Sequence, residues 1–128
     1  MATFPVTTGD VLTAAIYNSL TAFTVGSDQT ADYTAVLADQ YQVLVTMNKA
    51  TAVAFKIPTN SSVAFPVGTA ITFLNKGAGA VTISAVTSGT TTVLSAGAVA
   101  ASPTLAQYKT AVCIKTATDT WYVVGAIA

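Results

Sequence analysis

The stretch Val53-Ala54-Phe55-Lys56-Ile57 decides the fold class, because large apolar residues alternate in it with a small or charged one. Successive side chains of a strand point to opposite faces of the sheet, so this order predicts one buried face, formed by Val53, Phe55 and Ile57, and one wet face. Turn-forming residues follow at 58–62. The stretch therefore predicts a β-strand that is half buried in a sheet.

Short stretches with strand character continue along the chain. Further candidate strands lie at 33–37, 41–47, 63–67, 71–74, 81–86, 90–95, 111–116 and 121–127, and a short extended piece at 23–25 is closed by turn residues 26–28. The Gly-rich segment 75–79 predicts a hairpin between its flanking strands, and 117–119 predicts a second one. Short strands with frequent turns predict a mainly β chain with a single β-sandwich or jelly-roll-like domain. No internal repeat is visible in the sequence.

Residues 9–20 predict a helix, because apolar side chains recur there at helical spacing. Asp10 suits the N-terminal end of this helix. About three turns are marginally stable alone, so the apolar stripe must pack against something. We therefore expect residues 1–30 to form an N-terminal arm with one short helix, and 31–128 to form the β-sandwich domain. The candidate interface residues are Val11, Leu12, Ile16 and Leu20.

The composition excludes several classes of chemistry. The 128 residues suggest one domain; 52% are hydrophobic, 8% are charged, and His, Arg and Glu are absent. Without these side chains there is no Ser-His triad, no zinc–imidazole site and no bidentate phosphate clamp. The net charge is zero, so no basic surface attracts nucleic acid. We expect a structural or binding protein rather than an enzyme, with no catalytic residue, metal, cofactor or small-molecule substrate.

Four acidic or thiol side chains could suggest a site, but each has a simpler interpretation. Cys113 lies in a candidate strand with no cation near it in sequence, which favours a packing role. Asp28, Asp32 and Asp39 do not have the spacing of a compact calcium-binding loop. We therefore expect a buried thiol and three solvated turn residues.

Asn60 and the aromatic residues near the C-terminus also have simpler interpretations than a site. Asn60-Ser61-Ser62 has the form of a glycosylation sequon, for which a turn is the simpler interpretation. Trp121 and Tyr122 are adjacent in a candidate strand, so they point to opposite faces and cannot form one sugar-stacking platform. We expect one of these rings in the core and the other at the surface or an interface.

The surface of this protein carries few charges. Ten charges spread over roughly 6,300 Å² leave a monomer weakly protected against association. Charged residues are depleted at the centres of interfaces, so the composition fits a subunit of an assembly. The first residues do not resemble a signal peptide, and no stretch has the apolar length of a membrane span. We expect a protein made in the cytoplasm that does not enter a membrane.

Two sets of motifs resemble virion structural proteins of tailed bacteriophages. The segment 8–15 (TGDVLTAA) with Asn18 resembles an opening common in such proteins. Their β-domain is similar to the ordered set 65–71 (FPVGTAI), 77–83 (GAGAVTI), 115–116 (KT) and 120–125 (TWYVVG). The resemblance covers roughly residues 8–126 and implies no catalytic residue. It implies a capsid decoration (cement) protein or a tail-fibre β-domain.

Between these two, we expect a head decoration protein. It would bind the outside of the capsid, stabilise contacts between shell subunits, and locate to the capsid surface of the virion. Its partners would be the major capsid protein and further copies of itself in a homotrimer, with no nucleic acid or membrane. The alternative is a tail-fibre or appendage host-binding module, although 128 residues leave little room for the long shaft of a fibre.

Overall fold

The chain folds mainly into β-strands, as predicted. The structure, a computed structural model, describes residues 23–41, 43–95, 98–99 and 103–127. One short 3-10 turn, Leu37–Gln40, lies among the strands. The described strands are β1 Thr24–Gln29, β2 Tyr33–Thr34, β3 Val43–Met47, β4 Val53–Ile57, β5 Ala70–Asn75, β6 Val81–Ala85, β7 Thr92–Ser95, β8 Ala98–Val99, β9 Thr104–Leu105, β10 Thr110–Ala117 and β11 Thr120–Gly125.

The strands form two sheets. The larger sheet has the order β1-β3-β5-β10-β11-β7-β8, and the smaller sheet has the order β2-β4-β6-β9. From β1 to β6 the chain alternates between the sheets, and each return places a strand parallel to the one laid down before it. The first half of the fold is therefore a stack of coils, each adding one strand to each sheet.

The hairpin predicted across the Gly-rich segment 75–79 is wrong. β5 pairs with β3 and β10, whereas β6 pairs with β4 and β9, so these consecutive strands lie in different sheets. The hairpin predicted around 117–119 is confirmed by the antiparallel pairing of β10 with β11. Several strand pairs are parallel, so the jelly-roll order, which is built from antiparallel Greek keys, is not confirmed.

The Gly-rich segment is a corner that lies directly on the corner of the preceding coil. Backbone hydrogen bonds join the two corners: the amide of Lys76 donates to the carbonyl of Met47 (2.7 Å), and the amide of Gly79 donates to that of Lys49 (2.9 Å). A Cβ atom on Gly77 or Gly79 would overlap the backbone of the corner beneath it. Glycine is therefore required here by the close approach of two backbones.

Asn75 fastens this corner from inside. Its side chain is fully buried, and its Nδ2 donates to the carbonyls of Gly79 (2.9 Å) and Leu105 (2.9 Å). Its Oδ1 accepts a hydrogen bond from the amide of Gly77 (3.0 Å). A buried carboxamide is costly unless its polar atoms are paired, and these three bonds meet that need. They also tie the corner to β9 of the smaller sheet.

One hydrophobic core lies between the two sheets. Phe55 of the smaller sheet stacks on Phe73 of the larger one, with ring centroids 4.5 Å apart. The strand predicted at Val53–Ile57 is confirmed, because its alternate residues are buried and the two between them are half-buried. The other large core side chains are Met47, Ile57, Ile71, Ile83, Leu105, Trp121 and Val123.

The predicted N-terminal arm is only partly covered by the structure. Residues 9–20, with the predicted helix, lie outside the described residues, so the helix and the domain boundary near 30 stay predictions. β1 lies on the N-terminal side of that boundary and pairs with β3 in the larger sheet. The turn predicted at 26–28 is wrong, because these residues lie within β1. Within the described ranges, no helix has the length and apolar character needed to cross a membrane.

The contact between the corners predicts that adding one methyl group at Gly79 lowers the stability of the fold markedly. We expect Gly79→Ala to lower the free energy of unfolding by about 1–3 kcal/mol, because the new methyl group must displace the backbone beneath it. Urea denaturation measures the change. Ala78→Ser is the matched control, since Ala78 is exposed between the two glycines, and it should stay within about 0.5 kcal/mol of the parent. Equal effects of the two substitutions would contradict the role of the corner.

Candidate functional site

The outer face of the larger sheet is covered by apolar side chains. One row in register across five strands runs Val25, Leu44, Thr72, Val112 and Val124. Directly paired residues of neighbouring strands point to the same side of a sheet, so this row forms one continuous surface.

A second row lies beside the first. It runs Ala70, Ile114, Tyr122 and Leu94 across four strands. Neither row contains a charged residue, and Tyr122 is 44% exposed. We call the two rows together the apolar face; its large members are Val25, Leu44, Leu94, Val112, Ile114, Tyr122 and Val124.

The outer face of the smaller sheet has the opposite character. Its positions between the buried residues are Thr34, Ala54, Lys56, Thr82, Ser84 and Thr104. Hydroxyl groups and one ammonium keep this face hydrated, as expected of a sheet with one wet side. The two outer faces of the molecule therefore differ: the face of the smaller sheet is polar, and the face of the larger sheet is apolar.

An ion pair with its hydrogen bonds lies beside the rows of the apolar face. The carboxylate of Asp28 accepts hydrogen bonds from Lys76 Nζ (2.8 Å), Thr46 Oγ1 (2.8 Å) and Asn48 Nδ2 (3.0 Å). The hydrogen bond from Lys76, followed by those from Asn48 and Thr46, lowers the pKa of Asp28 to about 2. These residues come from three successive coils, so the cluster fastens the stack at its surface.

Asp32 and Asp39 have separate partners. The prediction of a solvated Asp39 is wrong: this residue is buried, and its Oδ2 accepts hydrogen bonds from the Tyr33 hydroxyl (2.8 Å) and the Val36 amide (2.9 Å). Burial raises the pKa of Asp39, and burial also raises the pKa of Tyr33. Asp32 accepts a hydrogen bond from the Ala54 amide (2.9 Å). The described residues contain no group of three side chains that could hold a metal ion.

Several predictions about single residues are confirmed. Cys113 is fully buried, and burial raises the pKa of its thiol. Trp121 is buried while Tyr122 is exposed on the opposite face, so the indole is not available for stacking on a ligand. Tyr108 is 78% exposed and has a φ of 65°, an uncommon backbone conformation for a residue with a side chain. The side chain of Asn60 is hydrogen-bonded to Lys115.

The candidate interface residues from the sequence and the apolar face do not overlap. Val11, Leu12, Ile16 and Leu20 lie outside the described residues. The apolar face was missed, although a signal for it exists in the unbroken apolar runs at 111–114 and 121–124. A strand that is apolar at every position is typical of a sheet covered on both sides.

The surface cluster predicts how stability depends on pH. The pKa of Asp28 falls from 3.8 to about 2 on folding, so its contribution is full above pH 4 and is lost as the pH falls towards 2. We expect Asp28→Asn to lower the urea midpoint at pH 6, and the gap from the parent to close by pH 2. Asp32→Asn is the control, because it loses only an exposed 3.9 Å ion pair with Lys56. A gap that stays constant with pH would contradict the assignment.

The chain was compared with protein-family models, with curated proteins and with solved structures, and nothing matches.

Proposed function

We propose that this chain is a head decoration (cement) protein of a tailed bacteriophage, which binds the outside of the capsid and stabilises contacts between shell subunits. The observation that most supports this proposal is the apolar face, whose two rows together span six strands, or about 24 Å across the sheet. Contiguous apolar surfaces of this kind mark sites of protein association. The resemblance of the sequence motifs to phage virion proteins indicates which assembly this would be.

The rest of the fold suits a bracing role. We propose that the two sheets form a β-sandwich, with the stack of Phe55 on Phe73 at its centre. The paired corners and the Asp28 cluster make successive coils cohere, so the apolar face is held in shape before any partner binds. A surface that is already ordered loses little entropy on binding. A protein that stabilises a shell in this way needs no catalytic group.

The partners we propose are the major capsid protein and two further copies of this chain in a homotrimer on the virion surface. The apolar face is uncharged, as the centres of protein interfaces tend to be. The predicted stripe of Val11, Leu12, Ile16 and Leu20 would supply a second contact, buried against the shell or a neighbouring copy.

A second function, a tail-fibre or appendage module that binds the host, is favoured by one observation. Tyr108 is 78% exposed and held at a positive φ between β9 and β10. Exposed aromatic rings on strained turns are found at binding sites, where a ring can stack on a sugar. The two functions differ in how many copies a particle needs.

The number of copies per particle tests the proposed function. We expect quantitative mass spectrometry of purified particles to find this chain in hundreds of copies, on the scale of the major shell protein, because a cement protein repeats with the lattice. A handful of copies would favour the host-binding module instead. Complete absence from the particles would reject both.

The apolar face is tested by binding of the purified protein to shells that lack it. We expect Tyr122→Lys with Val124→Lys to abolish binding, because both side chains point outward and their charges would be buried against the shell. The matched control, Thr82→Lys with Ser84→Lys, places the same charges on the outer face of the smaller sheet and should bind normally.

The same binding assay tests the arm. Leu12→Asp with Ile16→Asp should abolish binding while the β-domain still folds, whereas Ala14→Asp with Tyr17→Asp adds the same charge on the opposite side of the predicted helix and should not. Normal binding by the Tyr122→Lys, Val124→Lys variant would refute the role of the apolar face. Normal binding by the Leu12→Asp, Ile16→Asp variant would refute the role of the arm.

A further inference from the structure

Lys115 is a buried lysine in an unusual setting. Its side chain extends from β10 towards the core and is only 2% exposed. Its ammonium forms no ion pair with a carboxylate among the described residues, where the ion pairs are those of Lys56 and Lys76. A buried charge without a partner is costly, so the amine is driven towards its neutral form. Burial accordingly lowers the pKa of Lys115.

The neighbours of the amine are a carboxamide and a carbonyl. Lys115 Nζ donates to Asn60 Oδ1 (2.6 Å) and to the backbone carbonyl of Phe65 (2.6 Å). A neutral amine has two N–H groups and one lone pair, so these two acceptors use both N–H groups and leave the lone pair free. Asn60 Cγ is one C=O bond, ~1.23 Å, from Oδ1, so Nζ lies within about 3.8 Å of the carbonyl carbon.

Two buried aromatic rings lie beside the amine of Lys115, while Asn60 is half-buried. The ring of Phe65 meets the indole of Trp121 edge to face, with centroids 5.4 Å apart, and both are buried. The Trp121 ring centroid is 6.0 Å from Lys115 Nζ. A desolvated lysine in an apolar pocket is the form of lysine that acts as a nucleophile.

A carboxylate holds the backbone of Asn60 in position. Asp119, in the turn between β10 and β11, accepts hydrogen bonds from the Asn60 backbone amide (2.8 Å) and from Thr91 Oγ1 (3.3 Å). The hydrogen bond to the amide fixes the backbone of Asn60 beside β10. Asp119 is therefore a positioning residue for Asn60, and its negative charge is also felt by Lys115.

We propose that Lys115 and Asn60 form an intramolecular isopeptide bond. The lone pair of Nζ attacks Asn60 Cγ, the Cγ–Nδ2 bond breaks, and the new Cγ–Nζ bond completes a secondary amide. The amine loses one proton, which leaves with Nδ2 as ammonia, so no oxidant or further reactant is needed. The product replaces a buried amine that has no carboxylate in ion-pair contact among the described residues with a neutral amide. It also ties β10 of the larger sheet to the loop after β4 of the smaller one. This inference is independent of which partner the apolar face binds.

The intact mass of the purified full chain tests the bond. We expect a mass lower than the sequence mass, after any loss of Met1, by that of one ammonia molecule. Trypsin should then fail to cut after Lys115 and should leave peptide 57–76 joined to peptide 110–128. A full sequence mass with cleavage after Lys115 would overturn the proposal, whatever the behaviour of any variant.

Two variants separate this bond from other losses of ammonia. Asn60 precedes Ser61, and a succinimide at that pair would give the same mass. Lys115→Met removes the amine but leaves Asn60 unchanged, so the deficit should vanish in this variant; a deficit that persists would indicate the succinimide and reject the isopeptide. Asn60→Ala should also have the full mass. Circular dichroism checks that both variants are folded.

The positioning role of Asp119 has its own readout. We expect the cross-linked fraction of freshly made protein to grow at least about tenfold more slowly in Asp119→Ala than in the parent. Asp119→Asn keeps an acceptor for the Asn60 amide and should restore most of the rate. If Asp119 only stabilised the fold, both variants would be less stable but Asp119→Asn would not restore the rate of cross-linking. An unchanged rate in Asp119→Ala would remove Asp119 from the proposal.

Discussion

The fold depends on the contact between two backbone corners, residues 47–53 and residues 75–81. Each corner carries the chain from the larger sheet to the smaller one, and hydrogen bonds between them keep β3 beside β5 and β4 beside β6. Gly77 and Gly79 permit the two backbones to approach closely, and the side chain of Asn75 holds the second corner in place through its hydrogen bond to the Gly79 carbonyl. With the corners in register, the inward residues of both sheets meet, and Phe55 stacks on Phe73.

Buried polar groups in this chain fall into two kinds. Asn75 and Asp39 have hydrogen-bond partners that match their donors and acceptors, as buried polar groups usually do. Lys115 is the exception, since its charge has no carboxylate partner among the described residues. An exception of this kind in a low-dielectric interior calls for a chemical explanation, because such sites are where reactive groups are found. The apolar face presents a related question at the surface, where Val25, Tyr122 and Val124 are exposed to water.

Local patterns predicted the strands better than their partners. Alternation at Val53–Ile57 and the opposite orientations of Trp121 and Tyr122 follow from the period of a strand, which a sequence displays directly. The prediction of a hairpin at 75–79 was wrong because a Gly-rich segment between apolar strands has the same sequence pattern in two cases. It can reverse the chain within one sheet, or it can carry the chain to another sheet. The stacked coils were hidden for a related reason. Paired residues are 19 positions apart for Val25 with Leu44, 22 for Tyr33 with Phe55 and 28 for Val45 with Phe73, so the coils have no common period that a sequence repeat could show.

The order of the larger sheet has a consequence for how the protein is made. β10 and β11 lie at its centre, between β5 and β7, yet they follow the other described strands in the sequence. While the chain leaves the ribosome, β1-β3-β5 on one side and β7-β8 on the other cannot yet join. Until the C-terminal hairpin arrives, the edges of β5 and β7 are open to pairing with another nascent chain. The sheet is therefore closed only after the other described strands have been made, and nascent chains are most prone to aggregate in the interval before β10 and β11 join them.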